Sequence, residues 1–430
     1  MLQNQKIEPR TLQGFDDRHG AEMIVRNHVK NVWEDIFQNF GYSAIETPSL
    51  EYSEILTGKY GEEEKLIYHF EDHGGRRVAL RYDQTVPFAR YLTQHRNLIV
   101  LPFKRYEISR VWRADAARKG RRREFYQCDI DIAGTDSMMA DSEILQVLYA
   151  GFMKLGFAEH KILLNHRKLV SGFIQSLNIS QEQAIEVYRA IDKFDKVGQE
   201  GVKKELLDRG IQSQFIPKIL EFISLDGDNN QVMLSTLADL VKGNELGELG
   251  LSELKEIIEI CAFAGIPSQN IQISPRLVRG LDYYTGAIFE VVVDGFPGSL
   301  AGGGRYDGLC GRFSNEEIHA VGVAVGFEPL CMLMTEKKMG PKNTAPADLF
   351  LVLFNNEMKK DVLHLAQNFR TKGLRVQVSY EASKLGKQFE KANKLGIPQV
   401  VILGPDEKAR GVYVVKNMET GEQKEEKIPV

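Results

Sequence analysis

The residues best suited to chemistry in this chain surround one stretch, residues 279–308, with the sequence RGLDYYTGAIFEVVVDGFPGSLAGGGRYDG. Residues 287–293 are β-branched or aromatic, which predicts a buried strand, and the turn-forming residues after them predict that a second strand returns. The polar run RGLDYY comes just before this hairpin, and the run GGGRYD comes just after it. We therefore expect the two polar runs to face one another across a sheet.

These two runs have the chemistry of a binding site for a small polar ligand and a phosphate. Consecutive glycines let a ligand approach the backbone where any Cβ would clash. Arg279 and Arg305 offer forked donors for a carboxylate or a phosphate, and tyrosine hydroxyls both donate and accept hydrogen bonds. A glycine-rich hairpin whose tyrosines cap the core is the structural alternative. The RGLDYY sequence before it makes a ligand pocket the better interpretation.

A second polar group lies within residues 103–134. One strand is predicted to end at Arg113, and alternate residues of the next strand, residues 124–132, share one face. The side chains on that face are Phe125, Gln127, Asp129 and Asp131. The loop between the strands carries a cluster of cations, namely Arg118, Lys119, Arg121, Arg122 and Arg123. A charge run is usually a solvated surface, but cations at the tip of this hairpin would suit a polyanion such as a triphosphate or an RNA end.

A third polar group, Asp83 and Thr85, belongs to the sequence LRYDQTVPFAR. A carboxylate and a hydroxyl at the end of a strand can both point at an ammonium group. The structural alternative is that one of these side chains caps a helix that begins near Pro87. The two interpretations are compatible if the site lies at this helix terminus.

The N-terminal segment predicts elements that frame these groups. Apolar residues recur at helical spacing over residues 21–40, and Gly41 ends that helix. The extended residues 42–48 finish in Pro48, which cannot donate to a sheet ladder; they indicate an edge or interface strand, with a plain structural role as the alternative. Alternating residues on both sides of a DHGG turn predict a hairpin over residues 66–81.

Composition limits the class of protein. With 43% hydrophobic and 27% charged residues, the chain has the composition of a soluble globular protein of about two or three domains. No apolar run is long enough to span a membrane and the N-terminus has no signal-peptide core, so a cytoplasmic location is expected. The 4 cysteines have no metal-ligand spacing. A net charge of -4 gives no global support for nucleic-acid binding, which leaves such a partner to a local basic patch.

Three regions are predicted along the chain. They are a first domain over residues 1–335, a polar linker with two prolines over residues 336–346, and an α/β domain over residues 347–430. Helical patterns interrupt the first domain at about residues 170–260. No catalytic constellation is visible in this helical insertion, so a purely structural role is one interpretation of it.

Three motifs together resemble those of a known family. They are LRYDQTVPFAR at residues 80–90, GRRREFYQCDIDIAG at residues 120–134, and LVRGLDYYTGAIFE with AGGGRYDG within residues 277–308. Over essentially its whole length, the sequence resembles the histidyl-tRNA synthetases, which are class II aminoacyl-tRNA synthetases. The second motif looks like class II motif 2, and RGLDYY looks like the signature of the histidine enzymes.

The resemblance implies an α+β fold: an antiparallel class II sheet flanked by helices, a helical insertion that contacts the tRNA acceptor arm, and a C-terminal α/β domain for the anticodon. It also implies an enzyme that uses ATP to activate L-histidine to histidyl-adenylate and transfers it to the 3′ end of tRNA(His). Mg²⁺ is implied as the partner of the ATP triphosphate, with no metal held by the protein itself. A homodimer is implied through the N-terminal helix and the strand that ends at Pro48.

Site residues follow from the resemblance by position. Arg113 would hold the α-phosphate of ATP, Arg279 would bridge the substrate carboxylate and that phosphate, and Phe125 would stack on adenine. Further ATP contacts would come from Arg121, Arg123 and Glu124. The α-amino group of histidine would be bound by Asp83, Thr85 and Gln127. The rest of the histidine site, including the imidazole pocket, would be formed by Asp131, Tyr283, Tyr284 and Tyr306.

Two departures from the family pattern affect these expectations. Pro329 stands where class II motif 3 has an arginine for the terminal phosphate of ATP; loop cations such as Arg121, Arg122 or Arg123 are the hypothetical substitutes. The closing C-terminal helix of the family is expected to be missing or shortened. The alternative function is a synthetase-like regulatory subunit of histidine biosynthesis, which Pro329 favours and the complete RGLDYY motif disfavours.

Overall fold

The computed structural model of the chain describes residues 7–58, 61–117, 121–278, 284–313 and 316–429. The chain divides into two compact units, of which the first consists of residues 1–16 and 29–336 and the second of residues 17–28 and 337–430. Among the described helices, none combines the length and hydrophobicity that a membrane-spanning segment requires.

The first unit contains eleven described strands and most of the helices. Its strands are β1 (Ser43–Ala44), β2 (Leu50–Tyr52), β3 (His69–Glu71), β4 (Arg77–Leu80), β5 (Phe103–Trp112), β6 (Glu124–Ala133), β7 (Lys161–His166), β8 (Ile271–Ile273), β9 (Ala287–Val292), β10 (Ala301–Arg305) and β11 (Ala320–Val325). The helices between residues 21 and 336 are α1 (Ala21–Asn39), α2 (Ser53–Leu56), α3 (Thr85–Gln94), α4 (Met138–Lys154), α5 (Arg167–Ser176), α6 (Gln181–Ile191), α7 (Phe194–Asp208), α8 (Ile216–Ser224), α9 (Asn230–Val241), α10 (Glu245–Phe263) and α11 (Phe327–Glu336), and residues 21–28 of α1 belong to the second unit.

The main sheet of the first unit has the strand order β1-β5-β6-β11-β10-β9-β7-β8 in the described residues. Its neighbours run antiparallel except at the two edges, where β1 pairs parallel with β5 and β7 parallel with β8. A smaller sheet, β2-β4-β3, contains the hairpin predicted around the DHGG turn. Helices surround these sheets rather than alternating with parallel strands, which confirms the predicted α+β class.

The two faces of β5 and β6 differ in character, and the difference follows from period-2 alternation. On one face Tyr106 lies against Phe37 of α1, with ring centroids 5.4 Å apart. Trp33 of the same helix lies 5.6 Å from Phe152 of α4, also between ring centroids. Helices therefore pack against this face, and the buried charged residues of both strands lie on the opposite face.

The helical insertion predicted between residues 170 and 260 corresponds to α5 through α10, which connect β7 to β8. The hydroxyl of Ser180 accepts a hydrogen bond from the backbone N–H of Gln183 at 3.3 Å, so it caps α6. Such a cap satisfies one of the backbone donors that every helix start leaves open.

The second unit has its own sheet in the order β13-β12-β14-β15-β16. Its strands are β12 (Leu349–Leu351), β13 (Val376–Val378), β14 (Gln399–Ile402), β15 (Val412–Asn417) and β16 (Gln423–Lys427), and its remaining helices are α12 (Lys359–Thr371), α13 (Leu385–Lys394) and α14 (Pro405–Ala409). The sequence pattern predicts the first four strands and the first two helices. It does not predict β16, because that edge strand is polar throughout and largely exposed.

Candidate active site

Four side-chain pairs cross from β5 to β6 on the polar face. The pairs are Arg105 with Asp131, Glu107 with Asp129, Ser109 with Gln127, and Val111 with Phe125. Directly opposed residues of an antiparallel pair lie close enough for their side chains to interact. All four charged members of these pairs are buried. The predicted row on β6 therefore exists, and β5 supplies a second polar row beside it.

Glycines continue this face across the next two strands. Gly322 of β11 lies beside Asp131, and Gly304 of β10 lies beside Gly322. A Cβ at Gly322 would lie 1.9 Å from Oδ1 of Asp131, and a Cβ at Gly304 would lie 2.8 Å from Cδ1 of Tyr284. The Asp131 carboxylate and the Tyr284 ring therefore lie directly over bare backbone on neighbouring strands.

Asp131 is held between an arginine and a tyrosine. Nη2 of Arg105 lies 2.5 Å from Oδ2 of Asp131, and the hydroxyl of Tyr306 donates to Oδ1. Burial raises the pKa of Asp131, although the charge of Arg105 opposes that effect. Burial, together with the neighbouring Asp131, raises the pKa of Tyr306 well above its usual value. The tyrosine thus stays protonated and serves as a donor, while each carboxylate oxygen keeps a further lone pair for a ligand N–H.

Asp83 and Thr85 lie where a strand of the small sheet leads into α3. The helix begins at Thr85, and Oδ1 of the buried Asp83 accepts a hydrogen bond from the backbone N–H of Val86 at 3.1 Å. The predicted cap is thus present on Asp83. Thr85 stands half-buried at the same terminus.

Gln84 fixes this helix terminus to the polar face. Its Nε2 donates to Oγ of Ser109 at 2.8 Å, and Ser109 is the cross-strand neighbour of Gln127. Asp83, Thr85 and Gln127 are therefore brought to one region of the molecule by the Gln84 contact.

Arg113 and Phe125 lie at the far end of the same face. Nε of Arg113 donates to the carbonyl oxygen of Tyr82 at 3.1 Å. Its guanidinium lies 4.2 Å from the centroid of the Tyr82 ring and 5.3 Å from that of Phe125. Arg113 is thus fixed in place with an aromatic ring beside it, as a site for a phosphate and a flat base requires.

The described arginines of the basic loop are engaged with the chain itself. Nε of Arg121 lies 3.0 Å from Oδ2 of Asp115, and Nε of Arg122 lies 2.5 Å from Oδ2 of Asp16. Nε of Arg123 donates to the carbonyl oxygen of Asp115 at 2.9 Å. These three cations are therefore held by Asp115, which follows β5, or by Asp16, near the N-terminus.

Glu124 occupies the opposite face of β6 from Phe125, where its Oε2 accepts a hydrogen bond from Nε1 of Trp112 at 2.9 Å. Several residues from the sequence prediction lie outside the described residues, so the structure gives no position for them. They are Arg118, Lys119, Arg279, Asp282 and Tyr283.

Arg305 corrects the first interpretation of the glycine-rich hairpin. It is 3% exposed, and its guanidinium binds the carboxylate of Asp141 in α4. Nη1 also donates to the carbonyl oxygen of Thr135 at 2.9 Å. The prediction that Arg305 faces a ligand was therefore wrong. The glycines before it form β10 itself instead of following the hairpin, because β9 and β11 pair with them on both sides.

Pro329 is the third residue of α11, in the first turn, where no intrahelical donor is lost. Its neighbour Glu328 accepts a hydrogen bond from the backbone N–H of Tyr126 at 3.1 Å, which ties α11 to β6. The proline is therefore compatible with the strand-to-helix geometry predicted for this motif.

The sequence patterns did not lead to a prediction for two of the buried charged residues on this face. Arg105 and Glu107 lie in β5, where charged and apolar residues alternate in the sequence RYEI. That alternation in a strand was the available indication, since alternate positions share a face.

Residues 14–330 of the chain match the family described as histidyl-tRNA synthetase, and residues 348–430 match the one described as anticodon binding domain. The chain belongs to the histidyl-tRNA synthetase family. This confirms the resemblance inferred from the three motifs, including the class II fold and the C-terminal anticodon-binding domain.

Similar proteins cover nearly the whole chain. A histidine–tRNA ligase of Helicobacter hepaticus is 38% identical over 97% of this chain and 96% of its own length. One from Clostridium tetani is also 38% identical, over 97% of this chain and 95% of the relative. The crystal structure of a histidyl-tRNA synthetase from Nostoc sp. superposes with a TM-score of 0.89 at 33% identity, covering 98% of this chain and 97% of that one. The expectation of a synthetase enzyme is thereby confirmed.

The regulatory-subunit alternative has less support. A structure titled as an ATP phosphoribosyltransferase regulatory subunit/histidyl-tRNA synthetase from Bacillus halodurans superposes with a TM-score of 0.78, covering 90% of this chain and 97% of that one. Its identity of 22% shows a shared fold alone. The ligases from Helicobacter and Clostridium are considerably more similar in sequence.

Proposed function

We propose that this chain uses ATP to convert L-histidine to histidyl-adenylate and then transfers the histidyl group to the 3′ end of tRNA(His). The observation that carries the proposal is the row of Phe125, Gln127 and Asp131 on one face of β6, beside the bare backbone of Gly322 and Gly304. This row offers a stacking surface, an amide and a carboxylate, and the Asp131 carboxylate and the Tyr284 ring lie over the bare backbone of the adjoining strands.

The imidazole of histidine is assigned to the Asp131 end of the row. The Asp131 carboxylate accepts a hydrogen bond from one ring N–H, while Tyr306 and Arg105 hold that carboxylate in place. Tyr284, over Gly304, borders the same space. A phenylalanine side chain would leave the buried carboxylate without its partner, so this pocket selects against it.

The α-amino group of histidine is assigned to Asp83, Thr85 and Gln127. A carboxylate, a hydroxyl and an amide oxygen are all acceptors suited to an ammonium group. The assignment is supported by Gln84, which connects the α3 terminus to the Ser109–Gln127 pair.

Adenylation joins two anions, the carboxylate of histidine and the α-phosphate of ATP. A carboxylate oxygen forms the new bond to the α-phosphorus, and the bond to pyrophosphate breaks, so no protein nucleophile is required. Arg113, fixed by the Tyr82 carbonyl, stabilises the charge that builds on the phosphate, and Phe125 stacks on adenine. Arg279 keeps its proposed role as the second cation between the reacting groups.

The triphosphate end of ATP is assigned to the basic loop. Arg121 and Arg123 are its proposed protein contacts. Glu124 is left out of the proposal, because it lies on the face of β6 opposite Phe125 and accepts a hydrogen bond from Trp112. Mg²⁺ enters the proposal as the counter-ion of the triphosphate, bound by phosphate oxygens.

The other partners follow from the family. We assign tRNA(His) to the chain, with the anticodon on the domain at residues 347–430, the acceptor arm on the helical insertion, and residues 336–346 as the linker after the catalytic domain. A cytoplasmic location completes this assignment.

A homodimer is proposed through the segment around Pro48. Leu50 and Tyr52 of β2 are 45% and 52% exposed. Tyr52 also lines a groove of about 520 Å³, together with Pro48 and Tyr91 among others. An exposed apolar patch of this kind is typical of a self-complementary interface. Sedimentation equilibrium should give the mass of two chains, and a mass of one chain would contradict the dimer.

Histidine-dependent exchange of pyrophosphate into ATP tests the activation step. Purified chain should catalyse exchange with L-histidine and not with L-phenylalanine. Absence of exchange with histidine would rule out adenylation, and exchange without charging of tRNA(His) would identify an adenylating protein that is not a complete synthetase.

A further inference from the structure

We infer that Asp129 is a further histidine-binding residue, and that its carboxylate pairs with the α-ammonium group of the substrate. The inference rests on the proposed function, because it adds a contact within the same site. Neither the motifs nor the family resemblance assigned a role to this residue.

The position of Asp129 is central in the polar row. It is 2% exposed and lies between Gln127 and Asp131 on the same face of β6, at about 7 Å from each along the strand. Its neighbours across the next two strands are Ala324 and Gly302. No side chain larger than a methyl group therefore stands at these two positions, and a ligand that reaches both Gln127 and Asp131 passes over Asp129.

Asp129 has an unused buried acceptor. Among the residues that the structure describes, its Oδ1 has no hydrogen-bond partner, and the same holds for Oε1 of the neighbouring Gln127. A buried polar atom without a partner costs free energy, and it persists in a folded protein where a ligand supplies the missing group. Two such acceptors side by side suit a donor with several hydrogens, which an ammonium group is.

The charges around Asp129 favour a cation. Glu107, directly across the ladder, is paired with Arg81 at 2.7 Å, and Asp131 is paired with Arg105 at 2.5 Å. Arg105 acts on Asp129 as well as on Asp131, so one cation serves two buried carboxylates. Histidine carries its fixed positive charge at neutral pH on the α-amino group, while the imidazole is mostly neutral. The ammonium group therefore supplies the charge that this part of the site lacks.

Calorimetric titration of Asp129→Asn with three ligands tests the inference. L-histidine and histamine carry both the amine and the imidazole, whereas 3-(imidazol-4-yl)propionic acid lacks the amine. Loss of a charge-assisted hydrogen bond predicts that Asp129→Asn weakens histidine and histamine on the order of 10- to 100-fold. The amine-free acid should change less than about 3-fold, because it makes no contact that the substitution removes. Asp136→Asn, which removes the same charge from the exposed bend after β6, is the matched control and should bind all three ligands as the wild type does.

The possible outcomes separate this inference from the function on which it rests. If wild-type protein does not bind histidine, the proposed function fails. If the wild type binds histidine and Asp129→Asn binds it equally well, the inference alone is overturned. An equal loss for histidine and the amine-free acid would also overturn it, because Asp129 would then serve the ring. Should Asp129→Asn not fold, Asp129→Ser carries the same test, with the same ratio expected between amine-bearing and amine-free ligands.

Discussion

Two buried arginine–aspartate pairs that involve strands of the main sheet differ in how many of the arginine nitrogens have a hydrogen-bond partner. Arg305 binds Asp141 through Nε and Nη2, and it donates further to the carbonyl oxygens of Thr135 and Ser137. All three of its nitrogens therefore have partners. In contrast, Arg105 reaches Asp131 and the carbonyl oxygen of Gln84 through Nη2, while its Nε and Nη1 have no hydrogen-bond partner among the described residues.

We take this difference to distinguish a pair that holds the fold from a pair that belongs to the proposed binding site. Removing an arginine from water is costly, and the cost is offset only when its donors are satisfied. Arg305 meets that condition within the protein and joins β10 to α4. Arg105 does not, and it lies in the row of residues that we assign to histidine. Arg81 resembles Arg305, because its three nitrogens bind the backbone or side chains of Thr47, Glu107, Ser109 and Arg110.

Replacement of Arg305, whose three nitrogens all have partners, should give the largest loss of stability. Arg305→Met leaves Asp141 buried without its cation, and we expect it to lower the free energy of unfolding by about 3–5 kcal/mol. Urea denaturation measures the change. Arg96→Met, which breaks the exposed pair of Arg96 with Glu316, should cost less than about 1 kcal/mol. If Arg305→Met lowers the unfolding free energy as little as Arg96→Met does, a full set of hydrogen-bond partners does not indicate a structural role.

Replacement of Arg105, two of whose nitrogens have no hydrogen-bond partner among the described residues, should affect activity more than stability. Arg105→Met removes the cation that opposes protonation of Asp131, so kcat/KM for histidine in pyrophosphate exchange should fall about 100-fold, which corresponds to a loss of about 3 kcal/mol in transition-state stabilisation. The loss of unfolding free energy should be smaller than for Arg305→Met. If Arg105→Met unfolds as easily and its folded fraction retains full activity, the distinction between the two pairs is wrong.

The pH dependence of stability should be smaller without Asp129. Burial raises the pKa of Asp129 well above its usual value, and Asp131, Asp83 and Glu107 add to that effect while Arg105 opposes it. The folded chain therefore binds this proton more tightly than the unfolded chain, so the free energy of unfolding falls as pH rises above the ordinary carboxyl range. Asp129→Asn should show a shallower fall, by about 1.4 kcal/mol for each unit of pKa difference removed. Urea denaturation at several pH values measures the unfolding free energy of both proteins. The same pH dependence in the wild type and in Asp129→Asn would contradict this prediction.

The smallest effect is expected at the basic loop. If Arg121 and Arg122 replace the missing arginine at Pro329, the double variant Arg121→Ala, Arg122→Ala should raise the KM for ATP by about 3- to 10-fold, because exposed cations contribute modestly to anion binding. The KM for histidine should not change. An unchanged KM for ATP would show that the loop does not compensate for Pro329.

The sequence predicted what depends on local pattern. The polar row of β6 follows from period-2 alternation, and β9 with the turn after it follows from β-branched and turn-forming residues, whereas the glycines of β10 were expected to come after the hairpin. The partner of Arg305 could not be predicted in this way, because Asp141 is distant in the chain and meets it only when α4 packs on the sheet. The part played by Arg105 depends on the register of β5 against β6, which a single strand pattern does not determine.

The bare backbone at Gly322 also has a consequence for how the activities of the chain can be separated. A methyl group there would occupy the place of the Asp131 carboxylate oxygen, whereas the residues of the anticodon-binding domain lie elsewhere in the sequence. Alanine at position 322 should therefore obstruct the proposed amino-acid pocket from within the sheet. A chain altered in this way would compete with the wild type for tRNA without charging it.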